Sequence, residues 1–112
     1  MAVDFRTESI TLPGGTGRKQ FFGSTSFPSN VNRAIVTLNG FRVDFADADH
    51  HINIIEIDTD LGGHPPRPGQ QNPPPAIEGI LVRWTVEAYY ADKNFDDKYT
   101  GYVSVTVIVD RA

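Results

Sequence analysis

The 112-residue chain contains no cysteine, which excludes disulfide staples and cysteine-based zinc sites. That absence leaves the compartment open, cytoplasmic or extracellular, because secreted domains can also do without the residue. Long apolar runs are missing as well. None approaches the ~20 residues of a membrane-spanning helix, so no membrane insertion is expected. The opening Met1-Ala2-Val3-Asp4-Phe5-Arg6 lacks an apolar stretch, and no signal peptide is read there. Basic residues are in deficit: 10 Lys and Arg face 14 Asp and Glu, a net charge of −4. A phosphate backbone calls for a basic face, so nucleic acid is not an expected partner. Helical periodicity never persists for three turns, and no internal repeat occurs.

Catalytic signatures are equally absent. There is no G-x-S-x-G, no H-E-x-x-H, no phosphate-cradling glycine loop and no thiol. Ser24, Ser26 and Ser104 read as ordinary strand residues. The chain is therefore read as a non-enzyme without a resident cofactor, Ca²⁺ being the one candidate ion.

What the chain does have is a two-residue beat. In the segment 80–90, Ile80, Val82, Trp84, Val86, Ala88 and Tyr90 alternate with Leu81, Arg83, Thr85, Glu87 and Tyr89. In 102–110 every odd position is valine: Val103, Val105, Val107 and Val109. A period of two sends alternate side chains to opposite faces of a pleated strand, so each segment is a strand with one buried face. The two are expected to lie side by side, hiding Trp84 and the valines between two layers. With 39% hydrophobic residues, seven of them Phe, one packed core can form and disorder is not expected.

Weaker strands precede them. Residues 3–12 alternate loosely up to the turn Pro13-Gly14-Gly15 and read as an edge strand. Residues 19–27 follow, then 33–38. Asn39-Gly40 fits either a tight hairpin turn or a bulge within one longer strand. The acidic run 44–49 reads as a turn. Residues 51–58, with isoleucines on both faces, read as a central strand. The segment 62–75 holds six of eight prolines plus Gly62, Gly63 and Gly69; it cannot donate a hydrogen-bond ladder and reads as an exposed, mobile loop. Six or seven strands in this order predict one small antiparallel β-sandwich spanning 1–112.

Candidate chemistry clusters in two places. Asp92, Asn94 and Asp96 present oxygens at alternate positions, as a calcium loop does. The pattern then breaks, with Asp97 where the loop wants glycine and Val103 where it wants glutamate. The rival reading is a hairpin loop whose Asp and Asn side chains cap its own amides. Asp49-His50-His51 resembles a metal cluster, but neighbours on a strand point to opposite faces, and His64 lies in the proline segment. Tyr89, Tyr90, Tyr99 and Tyr102 surround the acidic loop, Tyr90 inward by parity, Tyr89 and Tyr102 outward. A sugar-binding surface would use such rings beside carboxylates and amides; cross-strand pairing of the tyrosines is the plainer account. Ile35 and Leu81 are apolar residues on otherwise polar faces and are candidates for a subunit contact.

The run 22–109 resembles the H-type lectin domain. The likeness lies in Phe27-Pro28, the strand Ala34-Ile35-Val36-Thr37-Leu38, a polar turn, Ile52-Asn53-Ile54, and a polar loop leading into the alternating strand 102–109. The resemblance implies a six-stranded antiparallel sandwich, assembly as a homotrimer and binding of N-acetylgalactosamine-like sugars. It also implies that the first long strand runs through Asn39-Gly40, which favours the bulge. The chain departs from the family where chemistry sits. Asn53 stands near the position of a sugar-reaching arginine, Asp97-Lys98 near that of a tryptophan, and Ile108 or Val109 near that of an aromatic. The proline segment is foreign to it.

Together these features predict a recognition module binding a glycan or cell-surface ligand. Asp92, Asn94, Asp96 and Asp97 would accept hydrogen bonds, with Asn53 alongside, His51 would donate, and Tyr99 would stack. The alternative is an assembly module that packs against its own copies or a larger complex without small-ligand chemistry. A calcium loop at Asp92, Asn94 and Asp96 predicts that added Ca²⁺ raises the melting temperature and EDTA reverses the gain. A thermal scan in which neither moves the midpoint removes the ion.

Overall fold

The computed structural model describes residues 2–45, 52–92 and 98–112. Among the described residues seven strands follow in order: β1 Ala2–Leu12, β2 Lys19–Ser26, β3 Val31–Phe45, β4 Ile52–Leu61, β5 Ile77–Glu78, β6 Leu81–Asp92 and β7 Tyr99–Arg111. One sheet has the order β1-β7-β3; the other runs β2-β6-β4, with β5 also pairing to β6. All pairings are antiparallel. The result is the all-β sandwich that the alternation predicts.

The two rhythmic segments become the central strands, but of different sheets. They share no ladder; they face each other across the core. Val82, Trp84, Val86, Ala88 and Tyr90 meet Val103, Val105, Val107 and Val109, all buried. Each large side chain hidden there contributes about 1.5–3 kcal/mol, an upper figure because the unfolded chain already hides some surface. A simple hairpin between β6 and β7 is thereby excluded, since the two strands belong to different sheets. Ile80, expected in the core, is half-exposed in the turn before β6.

Other expectations shift with the pairing. β1 is an edge strand, as its weak alternation suggests. β4, expected to be central, is an edge strand too, because β6 takes β2 on its other side. Asn39-Gly40 is a bulge: β3 runs unbroken through it while the register against β7 slips between Leu38 and Gly40. The freed Asn39 Nδ2 donates to Ser104 Oγ at 3.2 Å. Asp44, expected in a turn, belongs to β3.

The proline segment is fastened rather than loose. By strand parity Arg83 and Thr85 lie on the outward face of β6, yet both are buried. Thr85 Oγ1 donates to the Gly62 carbonyl at 2.5 Å, and Arg83 donates to the Pro75 carbonyl and to Glu78, both at 2.9 Å. His64 Nε2 sits 2.9 Å from the Gly23 carbonyl and 3.0 Å from the Trp84 carbonyl. Two carbonyls can only accept, so this nitrogen carries the proton. A chain poor in its own amide donors is held by side-chain donors and by the sheet beneath it.

Two glycines mark the tightest approaches. The Trp84 ring lies over Gly23, where a methyl group would collide with the indole. That indole donates to Thr25 Oγ1 at 3.0 Å and stacks on Phe21, with ring centroids 6.1 Å apart. Gly101, at φ 154°, lies on the central strand β7, and a Cβ there would meet the Arg42 carbonyl. Gly23→Ala is expected to cost about 1–3 kcal/mol in urea denaturation, as overpacking does. Gly101→Ala should cost more, because the obstacle is backbone and cannot change rotamer.

Candidate functional site

The strand ends that flank the two sequence-selected segments lie at one end of the sandwich. Phe45, last in β3, pairs with Tyr99, first in β7; Ile52, first in β4, pairs with Asp92, last in β6. The turn between β1 and β2 joins them there. Tyr99 fastens that turn, its N–H donating to the Gly15 carbonyl at 2.9 Å and its hydroxyl to Gly17 O at 2.5 Å. The same hydroxyl lies 3.3 Å from Ala88 O. Lys19 completes the clasp, with Nζ 2.5 Å from Pro13 O, 3.2 Å from Gly15 O and 4.3 Å from the centre of the Tyr99 ring. Among the described residues this buried ammonium has no carboxylate partner, and burial pushes its pKa below the usual lysine range.

An aromatic layer underlies this end. Tyr90 and Tyr99 meet edge to face at 5.1 Å, one from each sheet; Phe41 stacks on Tyr90 at 6.1 Å, and Phe45 tilts against Tyr99 at 6.0 Å. Next to the layer opens a cavity of about 460 Å³ lined by Gly14, Gly15, Asp44, Phe45, Lys98, Tyr99 and Thr100. Its lining combines an aromatic side, a carboxylate, a hydroxyl and an ammonium. Asp44 is also within 3.1 Å of Arg42. Such a mixture suits a small ligand with one apolar face and several hydrogen-bonding groups. A second concavity, of about 520 Å³, lies on the outer side of the other sheet beside Gln20, Asp58, Asp60 and Glu87. Arg18 reaches that rim, 2.9 Å from Glu56 and 3.6 Å from Glu87.

Of the residues selected from sequence, His51, Asn94, Asp96 and Asp97 lie outside the described residues, as does the 93–97 part of the calcium pattern. Asn53 falls within β4 and Asp92 ends β6. Tyr99 is the correction. Only 1% exposed, its ring is enclosed by Tyr90, Phe45 and the Lys19 ammonium, so it forms the floor of this end and presents no free face for stacking. Tyr90 is buried, Tyr89 half-buried and Tyr102 exposed. Among the described residues no group of three or more His, Cys, Asp or Glu could hold a metal ion.

Sequence reasoning passed over Asp44, Phe45, Lys98, Thr100 and the Gly14-Gly15 turn as site residues. Their only signal was local: a turn motif and an acidic run. The pairing of Phe45 with Tyr99 is what gathers them. No known protein family, curated protein or solved structure matches the chain.

The tyrosine pair makes stability depend on alkaline pH. Burial, and then the neighbouring Tyr99, pushes Tyr90 up to about 12, and burial raises Tyr99 as well. A phenol whose folded pKa lies above its unfolded value of about 10 contributes fully below 10 and loses that contribution as pH climbs through the folded value. The Tyr90 hydroxyl is buried without a partner among the described residues. Tyr90→Phe should therefore be neutral or stabilising by up to ~1 kcal/mol at neutral pH. Chemical denaturation should also show it losing less stability than the parent between pH 10 and 12.

Proposed function

We propose that this chain is a non-enzymatic recognition module that binds a glycan, or a similarly hydroxylated cell-surface ligand, at the end of the sandwich bounded by Asp44, Phe45, Lys98 and Thr100. The observation that carries the reading is the cavity of about 460 Å³ at that end, beside the strand ends flanking the two polar segments selected from sequence. Its size falls within the range of small-ligand sites. A pyranose ring has one face of C–H groups and a rim of hydroxyls. Asp44 can accept from the hydroxyls, while Lys98 and Thr100 donate to ring or glycosidic oxygens. The clasp made by Tyr99 and Lys19 holds the Gly14-Gly15 wall in place before any ligand arrives, which lowers the ordering cost of binding.

A second reading, a self-assembling structural module, is favoured by the apolar residues exposed on the outer face of the three-stranded sheet, Val3, Phe5 and Ile35. A glycan array on the intact chain separates the two. Saturable binding should weaken about tenfold or more in Asp44→Ala and in Lys98→Ala, while Arg33→Ala, at the far end of β3, should bind like the parent. A silent array together with a stable oligomer would leave the assembly reading.

A further inference from the structure

The outer face of the β1-β7-β3 sheet is built in cross-strand rows. Phe5, Ile108 and Ile35 form one row, and Thr7, Thr106 and Thr37 form the next. Val3 extends the apolar patch at its margin. Val3 is 77% exposed, Phe5 63% and Ile35 55%, the three largest exposures among the big apolar side chains of the described residues. Cross-strand neighbours share a face, so these side chains make one continuous surface rather than scattered exposures. A shallow depression of about 310 Å³ runs along it beside Val3, Ile35 and Ile108.

We infer that this face is the contact between two copies of the chain, stacked sheet to sheet about a two-fold axis. Charge selects the occupant. The patch is bordered by Arg33 and Asp110, paired with each other at 3.2 Å, and the threonine row is neutral, with Thr7 and Thr106 hydroxyls 3.3 Å apart. A face whose charges are already neutralised meets its own copy without like-charge repulsion, which is what a self-complementary two-fold contact requires. The outer face of the other sheet shows the opposite case: Glu56, Asp58, Asp60 and Glu87 crowd it against Arg18, and two such faces would repel. Area is sufficient as well. Three strands about 4.8 Å apart, paired along the 11 residues of β1 at about 3.4 Å each, give a footprint on the order of 500 Å² per copy. Two copies then bury about 1,000 Å², the threshold for a specific contact. Because β7 is the central strand and the apolar row crosses it at Ile108, the axis falls near Ile108.

This inference rests on the self-association reading and names its face; the ligand reading is tested through Lys98→Ala, which leaves the face and its Arg42–Asp44 pair intact, so the two can fail separately. Sedimentation equilibrium of the intact chain should show a dimer. Phe5→Glu and Ile35→Glu should each raise its dissociation constant at least about tenfold, by burying a charge in the contact. Ile80→Glu, an exposed turn residue outside the face, should leave it unchanged. In this cysteine-free chain Ile108→Cys should be joined to its copy by a short bifunctional maleimide, whose span suits facing sheets about 10 Å apart, and the crosslink should be lost when combined with Phe5→Glu. A parent that stays monomeric, including one that is monomeric and captured by lipid vesicles, overturns the inference. So does an odd-numbered assembly such as a trimer, or a dimer indifferent to both glutamate substitutions.

Discussion

The structure depends on one contact: the apolar rows of β6 and β7 pressed together as the middle strands of two sheets. Val82, Trp84, Val86, Ala88 and Tyr90 supply one side, the four valines of β7 the other, and every other strand is an outer neighbour of one of these two. Once those rows face each other, β1 and β3 must flank β7 while β2 and β4 flank β6. Trp84 shows how closely the layers are fitted. Its ring occupies the space that a side chain at Gly23 would fill, and its one polar atom is matched by Thr25.

The same contact builds the binding end. Tyr90, near the end of β6, and Tyr99, which opens β7, meet edge to face across the sheets, and this junction supports the turn, the Gly14-Gly15 wall and the cavity beside it. Tyr99 uses its backbone amide, its hydroxyl and its ring face to hold three different partners. A residue engaged through its amide, its hydroxyl and its ring acts as a strut, and the ligand-facing work under the proposed reading falls to the exposed Asp44, Lys98 and Thr100. The proline segment makes a comparable point on the other sheet. It covers Arg83 and Thr85, turning two outward-facing polar residues into buried anchors. Those anchors donate the hydrogen bonds that proline-rich backbone cannot supply for itself.

The two proposed surfaces are well separated in character. The end cavity is small, mixed in polarity and assembled from three chain segments. The outer face of the β1-β7-β3 sheet is broad, apolar toward the end that carries Val3, Phe5 and Ile35, and internally neutral in charge. A ligand site wants converging polar groups, whereas a self-association face wants area and an absence of repulsion, and the chain keeps the two apart.

Strand identity was legible wherever side chains alternate strictly, because a period of two is a property of the backbone and needs no tertiary partner. The valine row of β7 and the inward row of β6 were readable for that reason, as were the all-β class and the buried Trp84. Pairing was not readable. Nothing in the order of residues says that β6 and β7 sit in different layers, that β4 lies at an edge, or that Asn39-Gly40 bulges rather than turns. Each is decided by which strand lies beside which, a choice made by the packing of the whole core. The site followed the same division. Polar segments could be picked out from composition, but the grouping of Asp44 and Phe45 with residues more than 50 positions away required the register between β3 and β7. Local periodicity determined the elements; long-range pairing, where a one-residue slip would turn every side chain to the opposite face, decided the neighbours.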